Sequence, residues 1–296
     1  MTALTRISPA VSPAAAVVSR RVKHIHTLEQ PAGPLVVDVY EPVSASAAPP
    51  VLLIHGWGGT GSYWRQTAHA LSETVTVIVP DLPGTGRSQP VRAPRSMFDQ
   101  VATLQALLAD LQVERVQVVG HSMGGGMAVL LAAECPQRVE RLVLTSLTFF
   151  MTASQKQTYL SMMTLFRAMM HFRPAWLEQV PGMAGLMAKQ YFYRVPDDPA
   201  TLREGLHEYL ALDRETALRC AADAVDDRIP RAGAMIRVPT LLVAGRHDQM
   251  MPAKNVTYTL SILPNSQVRW IEACGHLPMV EKPAEYQSIL RDFLQL

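Results

Sequence analysis

One stretch constrains the whole chain. Val116-Gln-Val-Val119 is a short strand-like run, and Gly120-His121-Ser122-Met123-Gly124 follows it directly. Gly125 and Gly126 then open an apolar segment that runs to about Ala133. This is G-x-S-x-G between a strand and a helix, the context in which that spacing carries meaning. The chain must turn sharply, so Ser122 is held in a strained backbone conformation and its neighbours must be small. The helix N-terminus then points free N–H groups at any charge that develops near the serine oxygen. Taken alone, the same residues also describe a Gly-rich turn entering a buried helix.

The rest of the chain supplies the frame. Residues 22–29 and 35–41 alternate apolar and polar around Pro31-Ala-Gly-Pro34, which predicts an antiparallel hairpin. Val51–His55, Val75–Val79, Val116–Val119, Arg141–Leu144, Pro239–Ala244 and Gln267–Ile271 read as strands. Most of these are continuous apolar runs, the pattern of strands buried on both faces. Residues 62–72, 96–111, 252–263 and the segment from Pro283 carry helical stripes, with Ser96 and Asp99 placed for a capping box. The alternation predicts an α/β fold, a mostly parallel central sheet with helices on both faces. Ligands of such sheets bind at the carboxyl ends of the strands. The rhythm breaks over residues 148–235, which read as an inserted helical cap between core segments 22–147 and 236–296.

Bulk properties narrow the function classes. The 296 residues are 48% hydrophobic and 18% charged, enough for one large core. A net charge of +2 with interspersed signs gives no footprint for nucleic acid. No apolar run is long enough for stable membrane insertion. Cys135, Cys220 and Cys274 are far apart and lack metal-ligand spacing, so they read as reduced thiols of a cytoplasmic protein. Residues 1–21 match a signal peptide poorly and read as a flexible leader.

The set His55-Gly-Trp-Gly-Gly59, Asp81-Leu-Pro-Gly-Thr-Gly-Arg-Ser88, Gly120-His-Ser-Met-Gly-Gly125, Gly245-Arg-His-Asp248 and Gly275-His276 resembles the α/β-hydrolase superfamily. The likeness covers roughly residues 30–147 and 236–294, and extends to carboxylesterases, monoacylglycerol lipases and pimeloyl-carrier-protein methyl esterases. It implies a cofactor-free serine hydrolase that cleaves a carboxylic ester through an acyl-enzyme. The family order of Ser, then acid, then His falls on Ser122, Asp248 and His276. Asp226 and Asp227 are further carboxylates, whereas Asp81 resembles the family loop that braces the site. The resemblance puts the oxyanion donors at the backbone N–H groups of Trp57 and Met123. Serine at the elbow disfavours the dehalogenases and epoxide hydrolases, which carry aspartate there. Carbon–carbon bond hydrolysis of a diketone, with the same triad, and non-catalytic small-molecule binding on this fold are the rival readings. Perhydrolysis is a conceivable side activity. A monomer or a homodimer is expected, and the one partner is a small-molecule substrate. His247 has no neighbour at ligand spacing, so no metal site is expected.

Leu160–Phe172 is apolar almost all round and rich in methionine. It reads as a helix packed between cap and core, or as an adaptable wall over an acyl pocket. It lacks the clean charged side of a membrane-surface helix. The substrate is therefore expected to be an apolar acyl or small aromatic ester, touching Trp57, His121, Met163 and Phe166.

Overall fold

The protein is described by a computed structural model covering residues 22–42 and 44–296. The leader expected over residues 1–21 lies outside the described residues. The hairpin forms from β1 (Val22–Gln30) and β2 (Gly33–Tyr40), antiparallel in register from Gln30 opposite Gly33. Gly33 closes the turn with φ +123°, a conformation that only glycine adopts without strain.

Six short strands follow: β3 (Val51–Ile54), β4 (Val77–Pro80), β5 (Val116–His121), β6 (Val139–Thr145), β7 (Thr240–Gly245) and β8 (Ser266–Ile271). The sheet order is β1-β2-β4-β3-β5-β6-β7-β8. Both pairings of β2 are antiparallel, and every pairing from β4 to β8 is parallel. Ile54 lies opposite Gly120, His121 opposite Thr145, and Thr145 opposite Val243. That register brings the carboxyl ends of β3, β5, β6 and β7 to one edge of the sheet.

The two faces explain the unbroken apolar runs. Val51, Leu53, Val119 and Val243 pack toward Trp64, Leu71, Tyr286 and Leu290. Leu52, Ile54, Val118 and Leu242 point the other way, toward Leu104, Met127 and Ile229. Alternate residues of one strand thus enter two different cores, and neither set can be polar.

Local details refine the sequence reading. The helix expected over 62–72 starts as a 3-10 turn at Gly61–Trp64, where the Thr60 hydroxyl accepts from Ser62 N–H, and becomes α-helical over Arg65–Leu71. The Ser96–Asp99 capping box opens the helix Met97–Asp110. Between β6 and β7 run the helices Ala153–His171, Met183–Ala188, Pro199–Ala211, Arg214–Asp223 and Arg228–Met235. The last of these packs with the core. Ile229 and Ala232, three residues apart, join the cluster of Met127 and Val256 on one face of the sheet. Cys220, from the preceding helix, joins the same cluster. Helix Arg214–Asp223 is latched to the core: Thr216 Oγ1 accepts from Arg95 N–H at 3.1 Å, and Asp223 accepts from Met97 N–H at 2.8 Å.

Candidate active site

Ser122 takes φ +52° and ψ −119°, an outlier for a residue with a side chain, directly between β5 and the helix Met123–Glu134. Two glycines make the turn possible. A Cβ on Gly120 would lie 2.4 Å from the Gly124 carbonyl oxygen, and one on Gly124 would lie 2.4 Å from that of His55. Ser122 N–H donates to Thr145 O at 2.9 Å, which ties the elbow to the end of β6. The side chain is half-buried.

Asp248 and His276 meet. His276 Nδ1 lies 2.8 Å from Asp248 Oδ2, in a pair whose side chains are 5% and 2% exposed. The other carboxylate oxygen accepts from Met250 N–H at 2.8 Å and Met251 N–H at 2.9 Å. An acid that accepts on both oxygens leaves the imidazole proton on Nδ1 and a lone pair on Nε2. Among the described residues Ser122 Oγ makes no hydrogen bond.

The glycine-rich loop from His55 to Gly59 follows β3. Among the described residues the backbone N–H groups of Trp57 and Met123 donate to no protein acceptor. Both residues line a recess shared with Gly56, Gly58, Leu82, Leu212, Ala217 and Cys220. His55 fixes the peptide between Gly56 and Trp57. Its Nε2 accepts from Leu82 N–H at 3.0 Å, so the proton sits on Nδ1 and is donated to the Gly56 carbonyl at 2.9 Å. Burial holds this imidazole below its usual pKa, against the opposing pull of the Gly56 carbonyl. Asp81 braces the loop from the far side, accepting from Gly61 N–H at 2.9 Å and from Arg87 N–H and Nε–H at 3.0 and 2.8 Å. Burial raises its pKa, but the Arg87 hydrogen bonds and charge hold it below the usual carboxylate value.

The structure corrects an expectation. His121 does not line the recess. It is buried, its Nδ1 lies 2.9 Å from Tyr63 Oη, and its Nε2 lies 2.9 Å from the His276 carbonyl oxygen. A carbonyl only accepts, so Nε2 carries the proton and the Tyr63 hydroxyl donates to Nδ1. Tyr63 Oη in turn accepts from Gly56 N–H. One directional chain thus runs from the glycine-rich loop through Tyr63 and His121 to the His276 loop. Burial, reinforced by neighbouring His276, holds the His121 pKa well below the ordinary value and keeps the ring neutral, as the chain requires. The elbow's second residue is committed to spacing two loops.

Met163 and Phe166 pack against Trp57 and do not line the recess. With Met170, Leu212 and Leu218 they form a small apolar cluster that includes Trp57, whose ring centroid lies 4.9 Å from that of Phe166. Trp57 Nε1–H donates to Ala217 O at 2.9 Å.

Three residues were invisible to sequence reasoning. Tyr63 is one. Glu208, from the cap helix Pro199–Ala211, accepts from the Thr60 hydroxyl at 2.6 Å and from the Ser62 hydroxyl, and burial raises its pKa. Glu281 accepts from Gly275 N–H at 2.8 Å and from Arg194 N–H at 2.7 Å, joining the His276 loop to the cap. Each bonds to partners far off in sequence, and no spacing motif announces it. Cys220 faces the recess, with its thiol pKa pushed up to about 12 by burial. Among the described residues no cluster could hold a metal ion.

Known proteins resemble this chain in sequence and in fold. The sequence pattern of the alpha/beta hydrolase fold matches residues 49–283. Lipase 1 of Psychrobacter immobilis is 30% identical over 257 residues, covering 82% of this chain and 76% of that protein. The 2-hydroxymuconate semialdehyde hydrolase of Pseudomonas sp. (strain CF600) is 29% identical over 263 residues, covering 83% and 86%. In fold the chain is similar to a solved hydrolase from Pseudomonas aeruginosa PA01, with a TM-score of 0.77 at 22% identity, covering 93% of this chain and 99% of that one. A family match over most of the length agrees with the sheet order and the strained elbow, and the chain belongs to the α/β-hydrolase fold family.

Proposed function

We propose that the protein is a serine hydrolase that cleaves a carboxylic ester of an apolar acyl or small aromatic substrate. The observation that carries this reading is the buried Asp248–His276 pair, whose His276 carbonyl is held by His121, the residue before a serine at a strained strand–helix turn. His276 Nε2 takes the Ser122 proton as Oγ attacks the ester carbonyl, and Asp248 stabilises the imidazolium. The N–H groups of Trp57 and Met123 receive the oxyanion. Collapse expels the alkoxide, which takes the proton from His276. Water, deprotonated by the same nitrogen, then releases the acid and Ser122.

The recess supports an apolar acyl group, since Leu82, Leu212, Ala217 and Met123 line it and no lysine or arginine does. Likeness to a lipase agrees with this preference. Carbon–carbon bond hydrolysis is the second reading, favoured by the likeness to 2-hydroxymuconate semialdehyde hydrolase. Steady-state turnover of aryl esters of increasing acyl length, beside a vinylogous diketone, separates the two. The ester reading predicts turnover on esters that depends on chain length and disappears in Ser122→Ala. Turnover of the diketone alone would replace it with the second reading.

A further inference from the structure

The cap helix Ala153–His171 has one apolar stripe too many. Met163, Phe166 and Met170 turn inward to Trp57 and Leu218. Met162, Leu165 and Met169 repeat the same three-and-four spacing one position earlier, and they face solvent. The exposed apolar series continues along the chain in Phe172, Trp176 and Leu186. These six side chains are 54% to 71% exposed. Scattered apolar residues on a surface need no explanation, but a run of large ones on consecutive elements marks an interaction surface.

Charge identifies the partner. From Met151 to Val195 the chain carries five basic residues and one acid, Glu178, a net charge of +4 against +2 for the whole protein. The positive charge is therefore concentrated on the segment that bears the exposed apolar residues, and the remainder is net negative, with Lys156 of the segment paired to Asp227 outside it. Glu178 is occupied by His207 Nδ1 at 2.7 Å. Arg167 and Lys189 are exposed and have no hydrogen-bond or ion-pair partner among the described residues. A two-fold contact with a second copy would set this positive segment against itself. Apolar side chains with an aromatic residue and unpaired cations are instead what an anionic lipid surface takes up.

We infer that the outer face of the cap docks on an anionic bilayer surface, with Met162, Leu165, Met169 and Phe172 entering the headgroup boundary. Among the described residues no helix is long and apolar enough to cross a membrane, so the contact is peripheral. Docking uses none of the residues assigned to ester cleavage and stands independently of that reading.

Co-sedimentation with vesicles tests it. Full-length protein and its Ser122→Ala variant are mixed with vesicles of phosphatidylcholine alone or of phosphatidylcholine and phosphatidylglycerol in equal parts. Both proteins are expected to bind the anionic vesicles more tightly, and high salt weakens that binding. Leu165→Glu/Phe172→Glu and Arg167→Glu/Lys189→Glu should each weaken it at least about tenfold, with melting temperature unchanged. Failure of the folded wild-type protein to bind either vesicle would overturn the inference. So would binding by both double variants that is undiminished from wild type, or a dimer in solution that Leu165→Glu dissociates.

Discussion

Two regions of this molecule are held together in different ways. At the carboxyl ends of the central strands nearly every loop is fixed by directed hydrogen bonds. Gly56, Tyr63, His121 and His276 form one chain, Asp81 grips Gly61 and Arg87, and Asp248 accepts from two backbone N–H groups as well as from His276. The helix Ala153–His171 is attached by an apolar stripe, side-chain hydrogen bonds from Gln155 to Asn255, from Tyr159 to Ala221 O and from Arg214 to His171, and an ion pair from Lys156 to Asp227, and only its Met170 is buried. Directed bonds fix positions to fractions of an ångström, which charge stabilisation at a reacting carbonyl demands. Thioether and aromatic contacts tolerate shape change, which an acyl-binding wall or a surface contact can use.

The contrast can be broken from either side, and the largest effect is expected at the serine. Ser122→Ala removes the nucleophile and should cut ester turnover by about 10⁴–10⁶ while leaving the melting temperature in place. Turnover near wild type would remove the site from this part of the molecule. Gly124→Ala drives a Cβ to 2.4 Å from the His55 carbonyl oxygen and 2.5 Å from that of Ile54. It should cost about 3 kcal/mol or more in chemical denaturation, together with activity. Asp81→Ala leaves Arg87 and Gly61 N–H without their acceptor and should cost about 2–4 kcal/mol. Because the folded-state pKa of Asp81 lies below its ordinary value, its contribution is present above that range and fades as pH falls through the folded value. A titration of stability in acid should show this component vanish in Asp81→Ala.

The cap should answer differently. A Cβ on Gly205, inside the helix Pro199–Ala211, meets nothing within 4 Å. Gly205→Ala should therefore stabilise by about 0.5–1 kcal/mol, the opposite sign to Gly124→Ala. A loss of stability there would mean the cap is packed as tightly as the elbow. The smallest effect is expected at the cap–core latch. Burial raises the pKa of Glu208, so its contribution to stability is fullest below the unfolded value and is lost as pH rises through the folded one. Glu208→Gln keeps an oxygen for Thr60 and Ser62 and should flatten that dependence, with a change of under about 1 kcal/mol in acid.

What was legible in the sequence follows the same division. Strands buried on both faces must be continuous apolar runs, so β3 to β7 could be read directly, and the candidate site could be placed because Ser122, Asp248 and His276 each follow a strand. The hydrogen-bond chain could not. Nothing in Gly-His-Ser distinguishes an imidazole facing substrate from one clamped by Tyr63 and the His276 carbonyl, because those partners are 58 and 155 residues away. The cap was legible only as helix. A periodic apolar wedge tells which residues share a face, whereas coverage of that face depends on where neighbouring helices pack. Leu160–Phe172 therefore read as packed between cap and core or as a pocket wall, when Met162, Leu165 and Met169 face solvent.

The central claim is that Ser122 is an activated nucleophile, and labelling with a fluorophosphonate followed by peptide mapping tests it most directly. The account predicts a single adduct on Ser122, absent in Ser122→Ala and strongly slowed in His276→Ala. Well-folded protein that takes up no label, or takes it at another serine, would contradict it.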